Sequence, residues 1–257
     1  MVFGLVAAIY AVYLFLVLAE GFTEYLYHAG EQTVPPGQVA VQNWQFFYYF
    51  TTQSNILVLV FLVIFAVANL GDGWLATAAM KLVNQGVVLG LAIYMVVVFF
   101  VVACILDPFY AGQFEPVPTG GQLYEHVISP ILILVIYLVY PLKGRTSART
   151  VLTWMSYLLF YVVLANVVGA ATTWRDDGSR AYPYDFLNPH NYPNVVVYLT
   201  VIIGLAVLVF LVGLALRFLR DRFDAGYRPD DHVKAPGLSY NLVPGDLTRH
   251  TSTPARS

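Results

Sequence analysis

The chain has 257 residues, 59% hydrophobic and 11% charged, with a formal net charge of −2 and a single cysteine. A soluble domain carries about 25% charged residues, so this composition, with a mean hydropathy of +0.68, excludes an ordinary water-soluble globule. It gives no footing to a nucleic-acid partner, and neither a P-loop, a dinucleotide-binding glycine pattern nor zinc-ligand spacing occurs, so no cofactor or metal is expected.

Apolar runs of about 18 or more residues, the length that crosses a hydrocarbon core of about 30 Å, recur along the chain. They predict an all-α polytopic integral membrane protein with six transmembrane helices at 2–19, 46–69, 83–105, 125–142, 151–172 and 194–217. The first run has no basic residue before it and is longer than a signal-peptide core, so it reads as a true span. Cys104 lies inside the third run without a disulfide partner and reads as a small buried hydrophobe. In the same run Gly86 and Gly90 form a small-xxx-small element that lets helices approach closely, here read chiefly as packing within one chain.

Lys and Arg near short loops set orientation. Of 13 such residues, 11 fall in the 70–82 and 143–150 loops and the C-terminal tail, and only Arg175 and Arg180 on the other side. Both termini are therefore expected in the cytoplasm. The 1–222 region forms the membrane domain. The 223–257 segment is polar, rich in Pro and Gly and without apolar period, and reads as a disordered cytosolic tail. The preceding "RFLRDRF" places three arginines below the membrane, read as an electrostatic anchor to anionic lipid. The inner loops read as short and plain, whereas the outer ones are richer in acidic residues and carry Trp44, Tyr110, Tyr124, Trp174, Tyr182, Tyr184 and Tyr192 as an interfacial aromatic belt.

The second span opens with "TTQSN", five polar side chains from Thr51 to Asn55. Polar groups at membrane depth face the bundle interior or a water-filled cavity. At about 100° per residue, Ser54, Thr51, Asn55 and Thr52 share one face and Gln53 looks the other way, toward a neighbouring helix. The topology sets His126, near the start of the fourth span, and Asn166, near the end of the fifth, at the same outer depth. Three spans thereby offer polar groups to one outward-facing pocket. Capping and interhelical bonding account for the run equally well.

Histidine titrates near neutrality, and a Thr or Ser hydroxyl becomes a nucleophile when such a base takes its proton. Thr51 is the candidate nucleophile and His126 its base, with Thr52 and Glu125 as alternates; Ser54, Asn55 and Asn166 are candidate pocket or oxyanion groups. Pro130 leaves the His126 carbonyl without its helical N–H partner. The aromatic, proline-stiffened loop "TWRDDGSRAYPYDFLNPHNYP" reads as a lid over this pocket, with Asp185 and His190 as its polar contributors.

"YYFTTQSNILV", "EHVISP" and "YPYDFLNP" occur in this order. Together they resemble the second-span, fourth-span and outer-loop elements of the bacterial Pr-six-Pr family of six-span membrane proteins, over about residues 1 to 222. More distantly, the layout is similar to the androgen-induced and androgen-dependent membrane hydrolases. Those proteins use an intramembrane threonine and histidine to hydrolyse fatty-acid esters of hydroxy fatty acids. The resemblance implies a multi-pass protein of the bacterial inner membrane, with Thr51 and His126 at the matching positions. One departure stands out: where the Pr-six-Pr fourth span often carries an Asp, this chain has Ile136.

The leading expectation is thus a threonine-dependent lipid ester hydrolase or acyl-transfer enzyme opening to the outer leaflet, acting on a membrane lipid or fatty-acyl ester. The alternatives are a non-catalytic ligand-binding protein or small transporter, and a structural subunit of a membrane complex.

Overall fold

The computed structural model describes residues 1–31, 46–100, 120–172 and 181–226. Among them the structure is all-helical, with one isolated bridge between Asn84 and Lys143. In chain order the long helices are α1 (Val2–Glu31), α2 (Phe50–Leu70), α3 (Gly73–Leu82), α4 (Gln85–Phe100), α5 (Gly121–Val139), α6 (Ala148–Ala171) and α7 (Val195–Gly226). Five of them, all but α3 and α4, are long and apolar enough to cross a membrane. The predicted third span is seen as α4 as far as Phe100, and its remainder, with Cys104, lies outside the described residues. So does the predicted tail from residue 227 onward.

Several boundaries differ from expectation for local reasons. α1 does not stop at residue 19; no proline interrupts the helix formers of "EGFTEYLYHAGE", and the helix runs on to Glu31. The 70–82 loop is not plain, because "GWLATAAMKL" lacks Gly and Pro after its first residue and folds as α3. α6 starts earlier than predicted, at a capping box in which Ser147 Oγ accepts from the Thr150 N–H and Thr150 Oγ1 accepts from the Ser147 N–H.

α4 occupies the centre of the bundle and packs against α2, α5, α6 and α7. Its sequence is apolar on every side, which suits a helix surrounded by others; Val88, Leu89, Ala92, Ile93 and Met95 are fully enclosed. Close approach depends on glycine: a Cβ on Gly90 would lie 2.0 Å from the Trp154 ring, and one on Gly213 would lie 2.6 Å from Val151. The small-residue element of α4 therefore serves packing within the chain. α1 lies against α2 at the edge of the bundle.

The Arg220 side chain is 3% exposed, so it is not the lipid anchor that "RFLRDRF" suggested. Its guanidinium donates to the Tyr137 and Tyr140 carbonyls, at 2.6 and 2.9 Å, at the C-terminal end of α5. It also pairs with Asp224 at 2.9 Å, and Asp224 accepts from Gln85 at 2.8 Å. A helix C-terminus leaves carbonyls without N–H partners and carries partial negative charge, so a buried cation is stable there.

Candidate functional site

After a first turn at Gly121–Leu123, α5 contains a π turn, Tyr124–Ile128, in which the Ser129 N–H reaches the Tyr124 carbonyl five residues back. Pro130 has no N–H, and in this wider register the carbonyl it fails to satisfy is that of Glu125 rather than that of His126. Asn55 fills the gap: its Nδ2 donates to the Glu125 carbonyl at 3.2 Å and to the Thr51 carbonyl at 3.0 Å. From the other side Tyr10 of α1 donates to the Tyr124 carbonyl at 3.1 Å and pairs with Ser129 Oγ at 2.9 Å. The turn is therefore clamped by α1 and α2.

The polar face read from the helical wheel is buried as expected: Thr51, Thr52, Ser54 and Asn55 are all at most 9% exposed. Gln53 looks the other way, where its amide donates to the Phe47 carbonyl at 2.7 Å and accepts from the Tyr157 hydroxyl of α6.

The candidate groups have specific partners. Thr51 Oγ1 pairs with the Tyr184 hydroxyl at 3.3 Å, and the same hydroxyl accepts from the Thr51 N–H at 3.3 Å. Burial raises the Tyr184 phenol above its ordinary value; at neutral pH Tyr184 is therefore a neutral hydroxyl and not a phenolate base. His126 turns toward α4, where its ring lies against the Val98 backbone. Its Nδ1 is buried without a hydrogen-bond partner. Thr51 and His126 accordingly share the polar layer but not a hydrogen bond.

The candidate oxyanion donors are engaged elsewhere. Ser54 Oγ donates to the Thr51 carbonyl at 2.9 Å, and both Asn55 N–H groups hold carbonyls while its Oδ1 is buried and unpartnered. Asn166 donates to the Val162 carbonyl and accepts from the Tyr198 hydroxyl at 2.9 Å, so it ties α6 to α7. Glu125 stands half-buried at the π turn, and its backbone carbonyl, not its carboxylate, meets Asn55.

The loop from Ala181 to Asn194 folds over this end of the bundle. Ala181, Tyr182 and Leu187 are buried, and the Tyr182 ring rests on Gly169, where a Cβ would approach it to 2.5 Å. The loop holds its own shape: Tyr192 donates to the Phe186 carbonyl at 2.9 Å and Asn191 to the Asp185 carbonyl at 3.0 Å. Asp185 and His190 are exposed. The side chain that enters the site is instead Tyr184, stacked on Phe186 at 5.5 Å.

Beneath the loop lies a cavity of about 250 Å³, walled by Val96, Val97 and Val98 of α4, Met155, Leu158 and Val162 of α6, and Ile202, Ala206 and Val209 of α7. Its polar end is made by Thr51, Tyr161 and Tyr184. Tyr161 is itself fixed, accepting from the Phe50 N–H at 3.2 Å and donating to the Tyr48 carbonyl at 3.1 Å. Among the described residues no cluster of His, Cys, Asp or Glu is arranged to hold a metal ion.

Sequence reasoning missed Tyr184, Tyr161 and Tyr10. Tyr184 belongs to the quoted "YPYDF" element, and Tyr10 is a hydroxyl in a wholly apolar run, which is a signal of an inward partner. No protein-family model, curated protein or solved structure matches this chain.

Proposed function

We propose that this chain is a six-span protein of the bacterial inner membrane, with both termini in the cytoplasm, that takes an acyl chain of a membrane lipid or fatty-acyl ester into the α4–α6–α7 cavity. The observation that carries the reading is the shape of that cavity: apolar along its walls and polar only at the Thr51–Tyr161–Tyr184 end. A long-chain ester matches this division, because its methylenes fill apolar space while its linkage accepts hydrogen bonds from hydroxyls. Four features support six spans with this orientation: five long apolar helices, the shorter α4, the apolar sequence that continues to residue 105, and the bias of 11 basic residues.

Native mass spectrometry of the purified protein tests the reading. Wild type should retain an acyl lipid, and Ala206→Trp, which fills the cavity from α7, should lose it. Equal retention by both would overturn the assignment.

A second reading is catalytic, and the unpartnered Nδ1 of His126, the atom that would accept the proton, favours it. The Thr51 hydroxyl attacks the acyl carbonyl and His126 takes its proton and returns it to the departing alcohol. Water then attacks the acyl-threonine, releasing the acid and regenerating the hydroxyl. Thr51 must first leave Tyr184, and Ser54 and Asn55 must release carbonyls before they meet an oxyanion. Turnover of fluorogenic acyl esters, abolished in Thr51→Ala and His126→Ala and retained in Thr52→Ala, would support this chemistry. Equal rates in wild type and all three variants, or no turnover, would leave binding alone.

A further inference from the structure

α3 has two apolar faces. Ala79 is buried and Ala76 and Met80 are partly covered where the helix packs against α2. On the outward side Trp74 is 81% exposed, with Leu75 and Leu82 each more than half exposed. At about 100° per residue Trp74, Leu75, Ala78 and Leu82 fall within one stripe, and Lys81 borders it. A tryptophan and two leucines presented together in this way are adverse in water and stable at the headgroup–acyl boundary.

The fold gathers cationic groups around this stripe. The bond from the Gln85 N–H to the Lys143 carbonyl, at 2.9 Å, and the Asn84–Lys143 bridge bring the α5–α6 loop against the end of α3. That loop carries Arg145 and leads into α6 at Arg149, and both, like Lys81, are exposed. The carboxylates of the nearby end of α7 are engaged: Asp224 with Arg220, and Asp221 with Arg217 at 3.7 Å. Asp72, at the N-terminus of α3, is the acidic group facing this surface from the α2–α3 junction.

We infer that α3 and the α5–α6 loop form a binding surface for anionic phospholipid, with Trp74, Leu75 and Leu82 in the acyl boundary and Lys81, Arg145 and Arg149 on the phosphates. Two observations single out lipid as the occupant. The stripe is continuous with the apolar outer surface of α2, the helix from which α3 turns, where Val60, Val63 and Leu70 are exposed. The bordering charge is also net positive, Lys81, Arg145 and Arg149 against Asp72, and complements a phosphate layer.

Delipidated full-length protein would be returned to phosphatidylcholine nanodiscs and to nanodiscs with phosphatidylglycerol, and the lipid retained after extraction compared by native mass spectrometry. Wild type should hold phosphatidylglycerol in preference to phosphatidylcholine. The triple variant Lys81→Gln, Arg145→Gln, Arg149→Gln should weaken that preference by about fivefold per residue, on the order of 100-fold in all. Should the triple variant fail to fold, the wild-type preference measured in about 0.1 M and about 1 M salt decides, because screening shortens from about 10 to about 3 Å and the preference should collapse. Trp74→Ala should weaken retention of both lipids alike. Equal retention of the two lipids by wild type would overturn the inference, as would a preference that survives both the triple variant and high salt.

Discussion

Gly90→Ala is a single added methyl group with a calculable consequence. A Cβ at residue 90 falls 2.0, 2.2 and 2.5 Å from Cδ2, Cε2 and Cε3 of Trp154, well inside van der Waals contact and against a rigid ring. The indole cannot yield without leaving the α4–α6 interface, where it meets Tyr94 edge-on at 5.6 Å and where the Tyr94 hydroxyl donates to the Trp154 carbonyl at 2.8 Å. Overpacking of this kind costs about 1–3 kcal/mol, and disturbing the Tyr94 bond adds about 0.5–1.5 kcal/mol. The expected loss is therefore about 1.5–4.5 kcal/mol, less the few tenths to about 1 kcal/mol that Ala gains over Gly inside a helix.

Thermal unfolding in detergent would show this as a fall of several degrees in Tm. Gly204→Ala is the internal control, since a Cβ there meets nothing within 4 Å; it should be neutral or slightly stabilising. Replacing the indole as well, in Gly90→Ala with Trp154→Leu, should recover part of the loss relative to Trp154→Leu alone, because the two sites are coupled. If Gly90→Ala behaves like Gly204→Ala, the close α4–α6 approach is wrong, and with it the wall of the cavity.

Tyr184→Phe removes both hydrogen bonds to Thr51 and should cost about 1 kcal/mol, with faster hydrogen exchange across residues 181–194 as the local readout. The raised Tyr184 phenol also sets a pH window: its contribution is fully present below its ordinary value of 10.0 and is lost as pH rises through the higher folded value. The stability difference between wild type and Tyr184→Phe should therefore be constant at neutral pH and shrink above about pH 10. Asn55→Ala strands the Glu125 carbonyl and should destabilise by about 1–3 kcal/mol, read by chemical denaturation. Arg220→Met leaves the α5 carbonyls without their donor and, with Asp224 44% exposed to solvent, should cost about 1–3 kcal/mol, a loss that Arg220→Lys should not fully restore, because an ammonium lacks the planar fork of the guanidinium.

What the sequence determined by itself is the class of molecule and the composition of its polar layer. Span length and hydropathy depend on single segments, so five long helices could be read directly, and so could the buried face of Thr51, Ser54 and Asn55, because helical periodicity is local. What only the tertiary structure decided is which partner each polar group meets. Asn166 turned to Tyr198, Thr51 to Tyr184 and His126 to Val98, since partners on separate helices and loops are selected by how the helices rotate and pack. The π turn moved the orphan carbonyl from His126 to Glu125, a shift of one residue that Pro130 permits but does not specify. Charge position misled for the same reason: Arg220 lies in a run of arginines that reads as a lipid anchor, yet the end of α5 comes to rest beside it and makes it a buried clamp.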